Sequence, residues 1–158
     1  NRFEAPTFVC AGNHDRFKRT LDTAYLDYCG EPSYFFDVGQ DRFVACDMEF
    51  RWPDWQRHPQ WLAVADALRG SPSTRWRILF THRYEPGMSY HFQRYLCETR
   101  ISAFVSGHWH WDFVGEFSGG TKWVATAASV NGYWRMFRIG PGGVTVGPLQ
   151  GPATAIPP

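Results

Sequence analysis

Cysteine is scarce in this chain and never paired in sequence. Cys10, Cys29, Cys46 and Cys97 stand far apart with no Cys-x-x-Cys, which argues against a zinc ribbon or a dithiol redox motif. Cys10 and Cys46 lie in apolar runs where a thiol packs as a small hydrophobe, and a disulfide between any two is a question of geometry. An excess of one charge is lacking too. Sixteen Lys and Arg oppose fifteen Asp and Glu, for a formal net charge of +1, so no global field draws the protein to nucleic acid or an acidic membrane. Any anion site must be local. No run of about 18 apolar residues is present to cross a bilayer as a helix, and no basic-then-apolar leader opens the sequence. An initiator methionine is also missing, since the chain starts Asn1-Arg2-Phe3. The compartment stays open, with a slight lean toward the cytoplasm and with export compatible with an unseen leader.

What the chain does have is aromatic mass and size. Aromatics make up 18% of 158 residues, with eight Trp, a length and composition suited to one globular domain packed around large rings.

Taken in order, the polar residues 1–6 lead to a strand over Thr7 to Ala11. From Arg16 to Cys29, Leu21, Tyr25 and Tyr28 recur at helical spacing before the stop at Gly30. Tyr34-Phe35-Phe36 and Arg42 to Cys46 form a hairpin turning near Gly39 and Asp41. Residues 47–58 are a surface excursion. Pro59 opens a helix whose apolar face is Trp61, Leu62, Ala65 and Leu68. Arg77 to Thr81 is a strand, the segment around Phe92, Tyr95 and Leu96 a short helix, and Ser102 to Ser106 another strand. Strands follow at Phe113 to Gly115, Lys122 to Ala127, Trp134 to Ile139 and Val144 to Val146. A domain over 1–147 and a loose Pro/Gly-rich tail over 148–158 result. Strands alternating with helices, then strands alone, indicate an α/β domain with mixed sheets.

Three turns carry the chemistry. Gly12-Asn13-His14-Asp15 follows the first strand, His82 ends the strand Leu79-Phe80-Thr81, and Gly107-His108-Trp109-His110 ends the next. Open sheets gather ligands where strands deliver loops. In an extended segment His108 and His110, two apart, point to one side. Together with His82 and Asn13 they form a thiolate-free nitrogen and oxygen set, suited to a catalytic manganese, iron or zinc rather than a structural zinc. Each residue alone also reads as an ordinary polar group at a strand end, with Asn13 and Asp15 capping a turn.

These three stretches, in this order, resemble the calcineurin-like metallophosphoesterases, whose motif series closes with Gly-Asn-His-Asp/Glu, a lone His after an apolar strand, and Gly-His-x-His. The resemblance runs from about Pro6 to Ile139. It implies the C-terminal part of an αββα sandwich with mixed sheets. It also implies hydrolysis of a phosphoester at a dinuclear site of divalent or trivalent Mn, Fe or Zn, by a metal-bridging hydroxide. Carried over, Asn13, His82 and His108 would hold the second metal and His110 would reach the first. His14 would stabilise the transition state or protonate the leaving oxygen, and Asp15 would orient it. Arg16, Arg83 and Tyr84, adjacent to these motifs, are candidates to hold substrate phosphate.

The family's upstream Asp-x-His and Gly-Asp-x-x-Asp motifs are absent. The expectation is therefore a fragment that lacks the N-terminal part of its own domain, holds at most one well-liganded metal and is weakly active or inactive alone. The competing reading is a non-catalytic binding or scaffold domain that keeps the fold. A third takes Arg51-Trp52, Trp55-Gln56-Arg57 and Arg75-Trp76-Arg77 as a nucleic-acid surface, which the neutral charge disfavours. Monoester, diester, nucleotide and lipid headgroup substrates are not distinguished; residues 47–58 and 83–92 are the candidate specificity segments.

Overall fold

The computed structural model describes residues 6–17, 20–21, 23–48, 59–70, 72–84, 95–96, 98–117 and 119–152. Its centre is a six-stranded mixed sheet built from β3 (Tyr34–Val38), β4 (Asp41–Cys46), β5 (Trp76–Thr81), β6 (Ala103–Ser106), β7 (Phe113–Glu116) and β8 (Lys122–Ala125). The strand order is β3-β4-β5-β6-β8-β7. The four inner strands run parallel, and β3 and β7 add antiparallel edges. Val44, Ala45, Cys46, Ile78, Leu79, Ala103 and Phe104 are all buried, the near-continuous apolar pattern of parallel strands covered on both faces. The β3–β4 turn needs Gly39, whose φ of 61° lies in the left-handed region that glycine takes without strain.

One face carries helix α2 (Pro59–Arg69). Val64 and Leu68 pack with Val44, Leu79 and Phe104, with Tyr84 and Phe117 from loops, and with Leu96, which is helical together with Tyr95 as expected. Leu62, expected on the buried stripe, is 55% exposed, while Val64 takes its place at 3%. The sheet covers only the arc through 64, 65 and 68, and position 62 falls outside it. The Trp61 side chain lies outside the described residues. The opposite face is partly covered by a separate hairpin, β9 (Trp134–Gly140) with β10 (Gly143–Gln150), whose Phe137, Ile139 and Val144 pack on Phe43, Ile78, Ala103 and Val105.

Several expectations are corrected. Residues 7–11 make no strand. Phe8 stacks on Phe36 with ring centroids 3.8 Å apart, and the Tyr34 hydroxyl donates to the Val9 carbonyl at 2.7 Å, so the segment is held by side chains rather than by a ladder. The helix expected from Arg16 begins only at α1 (Thr23–Cys29), after two short antiparallel strands, β1 (Arg16–Phe17) and β2 (Thr20–Leu21). Arg16 is extended, at φ −128° and ψ 137°, and α1 buries Tyr25 while Leu26 and Tyr28 are exposed. The tail expected to be loose from 148 is strand as far as Gln150. A bulge between Val146 and Leu149 accommodates Gly147 and Pro148, which removes the need for a proline N–H in the ladder. Residues 153–158, 49–58 and 85–94 lie outside the described residues, and with them most of both candidate specificity segments, Arg51-Trp52 and Trp55-Gln56-Arg57, and Phe92. Of the third nucleic-acid stretch, Arg75 is paired with Asp41 and the Trp76 indole donates to the Gly140 carbonyl, so both are in structural use. Cys10, Cys29 and Cys46 are free thiols; Cys97 is outside the described residues.

Candidate metal centre

The parallel strands end level with one another. Cys46 pairs with Thr81, Thr81 with Ser106 and Ser106 with Ala125, so residues 47, 82, 107 and 126 all leave the sheet at one edge, the carboxyl edge where α/β sheets bind ligands. Cys10, on the segment before the first motif, places its thiol over this edge, with Sγ 3.7 Å from the Cys46 carbonyl and 3.8 Å from that of Phe80. Burial pushes that thiol up to about 12.

After Cys10 the chain runs extended through Gly12 into a 3-10 turn, Asn13–Asp15. The Gly12 N–H donates to Asp15 Oδ2 at 2.8 Å, and the Asp15 N–H donates to the Gly12 carbonyl at 3.2 Å. Closed in this way, the loop carries Asn13 inward and leaves His14 exposed. Asn13 Oδ1 lies 2.8 Å from His82 Nε2 and 3.1 Å from His108 Nδ1, and the two ring nitrogens are 3.2 Å apart. An amide oxygen only accepts, so an imidazole N–H donates to it. A cation held at about 2.0–2.2 Å by nitrogen and oxygen donors sets its ligand atoms roughly 3 Å apart. The three observed separations fit that spacing, and hard oxygen with imidazole nitrogen is a donor set for Mn, Fe or Zn.

His82 is half-buried, and its pKa is lowered, first by that burial and then by His108, with His14 and His110 adding to the effect and Asp15 opposing it. A neutral imidazole, the form that can bind metal, is thereby favoured. His82, His108 and His110 also line a cavity of about 340 Å³ whose other wall is formed by residues 126–129. Among the described residues, no group of three His, Cys, Asp or Glu side chains gathers to hold a metal; the third atom beside the two imidazoles is the Asn13 amide oxygen.

The family model for calcineurin-like phosphoesterase matches residues 1–112. The chain belongs to the calcineurin-like phosphoesterase family. Among solved structures it is similar to a purple acid phosphatase from yellow lupin (Lupinus luteus) seeds, with a TM-score of 0.51 and 17% identity over 61% of this chain. That match covers 23% of the lupin chain, and it shows a shared mixed α/β fold. No curated protein matches in sequence.

Within this calcineurin-like phosphoesterase chain, the nine expected site residues take different places. Asn13, His82 and His108 converge, and His110 faces the same cavity. His108 and His110 do so without an extended segment, since their φ values are 71° and 58°; two left-handed residues, not strand alternation, set their direction. Asp15 braces the Gly12 loop. Arg16 is drawn to the end of β4, where its guanidinium pairs with the carboxylate of Asp47, a side chain 2% exposed. The Arg83 carbonyl accepts from Thr81 Oγ1 at 3.1 Å, and its side chain is half-buried. Tyr84 turns away from the cluster: it is 1% exposed, and its ring lies edge-on to Phe104, Phe117 and Trp123. The cavity wall at 126–129 could not be anticipated, because nothing in the sequence marks it.

Proposed function

We propose that this chain contributes to a metal-dependent phosphoester hydrolase with a dinuclear centre. The observation that carries the reading is the convergence of Asn13 Oδ1, His82 Nε2 and His108 Nδ1 within 3.2 Å of one another. These three residues would hold one Mn, Fe or Zn ion, and His110, on the same cavity, would reach a second. When bound, such a pair supplies charge to the phosphoryl oxygens and acidity to water. The remaining work falls to the chain's own groups. His14, exposed on the braced loop, delivers a proton from its imidazole to the leaving oxygen, and Asp15 fixes the loop that presents it. Arg83 binds substrate phosphate, and Arg16 acts through the loop it joins to Asp47.

Among the described residues, only His110 of the gathered histidines remains for the second position, so the chain alone is proposed to be a weak hydrolase. That shortage is also what favours the second reading, a binding domain that retains the fold without turnover. Titrating the 158-residue chain with manganese(II) or zinc(II) in the presence of 4-nitrophenyl phosphate separates the two. Metal-dependent release of nitrophenolate, slow and abolished by His108→Ala, supports the hydrolase. Saturable phosphate ester binding without release supports the binding domain, and fast turnover would overturn the proposed weakness.

A further inference from the structure

Trp109 sits between the two histidines of Gly107-His108-Trp109-His110, and its indole has a use that the metal donors do not. Its Nε1–H donates to the Tyr84 carbonyl at 2.7 Å. Tyr84 is a rigid anchor, because its ring is enclosed by Phe104, Phe117 and Trp123. The backbone between these contacts is unusual. The Trp109 N–H donates to the Gly107 carbonyl at 2.9 Å across His108, whose φ is 71°. This is the strained form of the three-residue γ-turn, with a non-glycine residue at its centre. His110, one residue beyond the tryptophan, is left-handed as well. Such a conformation persists only where the surroundings over-determine it. The hydrogen bond from Gly107 N–H to the His82 carbonyl, at 2.9 Å, secures the entrance of the turn, and the indole secures its exit.

We propose that Trp109 is a positioning residue whose indole–carbonyl bond locks His108 in the γ-turn and so brings its Nδ1 to Asn13 and His82. The chain of restraint runs from the core, through the Tyr84 backbone and the Trp109 indole, to the His108 ring, which stands edge-on to the indole at 5.1 Å between centroids. The indole acts through the His108 backbone and is not itself one of the converging donors. Its effect on metal binding rests on the phosphoesterase reading; the lock itself does not.

Trp109→Phe keeps a ring and removes the donor. Trp111→Phe is the control, since that tryptophan packs on Phe113 and Trp123 and is 44% exposed. Three measurements on the full chain are combined. In the unsubstituted protein, the Trp109 indole proton exchanges with solvent at least ten-fold more slowly than that of Trp111; equal rates would overturn the lock without any variant being needed. In metal-free protein, Trp109→Phe shifts the ¹⁵N resonances of the His108 and His82 rings, and Trp111→Phe leaves them in place. Unshifted rings in Trp109→Phe refute the proposal. Finally, manganese(II) affinity falls ten-fold or more in Trp109→Phe and stays within two-fold in Trp111→Phe. Unsubstituted protein that binds no manganese would sink the phosphoesterase reading, while proton exchange and the ring spectra would still judge the lock.

Discussion

A single methyl group at Gly12 tests how tightly the three donors are held. Gly12 has φ −118° and ψ 178°, extended backbone that any residue adopts, so Gly12→Ala introduces no backbone strain. The added Cβ would stand 2.9 Å from His82 Cγ and 3.0 Å from Cδ2 and Nδ1. Carbon contacts are comfortable at about 3.5–4.0 Å, so the imidazole or the loop must yield by about half an ångström. Overpacking of this kind costs about 1–3 kcal/mol; for a half-buried ring we expect about 1–2 kcal/mol, a fall in Tm of roughly 2–8 °C for a domain of this size. The same displacement moves Nε2 off the point where it meets Asn13, and misdirected ligands typically lose about 10–100-fold in metal affinity. Gly107→Ala is the matched comparison, because its Cβ would lie 3.6 Å from the same ring's Nδ1 and from the His82 carbonyl, ordinary contact. Thermal unfolding followed by circular dichroism and manganese titration by calorimetry read both effects. Equal behaviour of the two variants, or a Gly12→Ala protein as tight for metal as the parent, would refute the reasoning.

Other perturbations separate the core from its surface. Arg16→Met takes the guanidinium from Asp47, whose side chain is 2% exposed, and should cost about 1.5–3 kcal/mol in urea unfolding, the loss of a hydrogen bond to a charged group; a change under about 0.5 kcal/mol would show that the pair is not a support of the loop. Leu79→Ala, at 0% exposure, should lose about 2–5 kcal/mol. Phe8→Ala, 54% exposed and held mainly by its stack on Phe36, should lose about 0.5–1.5 kcal/mol, and a reversed order would contradict the packing described. Iodoacetamide at pH 8 should label exposed Cys29 well before Cys10 and Cys46, whose thiols burial pushes up, Cys10 to about 12. A raised folded pKa leaves the thiolate scarce throughout that range, and peptide mapping that found Cys10 labelled first would disprove it.

Much of the sheet was legible because its signals are local. The Gly39 turn between two aromatic runs gives the hairpin, and runs such as Ile78 to Phe80 announce strands buried on both faces. The segment at 7–11 misled because an apolar run need not be buried in a ladder: residues 7–9 stay exposed, held by the stack of Phe8 on Phe36 and the hydrogen bond from the Tyr34 hydroxyl to the Val9 carbonyl. Asn13, His82 and His108 could be named from motif spacing, yet how His108 reaches the others could not. A left-handed histidine carries no mark in sequence, as glycine would, and it is held by Tyr84, a residue whose own proximity to His82 in sequence suggested a place at the substrate. The bulge at Gly147 and Pro148 hid the end of β10 for a related reason, since those residues look like a terminus until a partner strand is seen.

The three donors are also far apart along the chain. Asn13 is separated from His82 by 69 residues and from His108 by 95. Closing loops of that length must be repaid by contacts elsewhere before the atoms can meet, and those contacts are the β4–β5–β6 pairings. A metal ion bound as proposed could therefore not nucleate this fold. It would meet its site only after the central sheet has assembled, so added metal should slow unfolding and leave the early stages of refolding unchanged, and metal capture would then signal that the chain has finished folding.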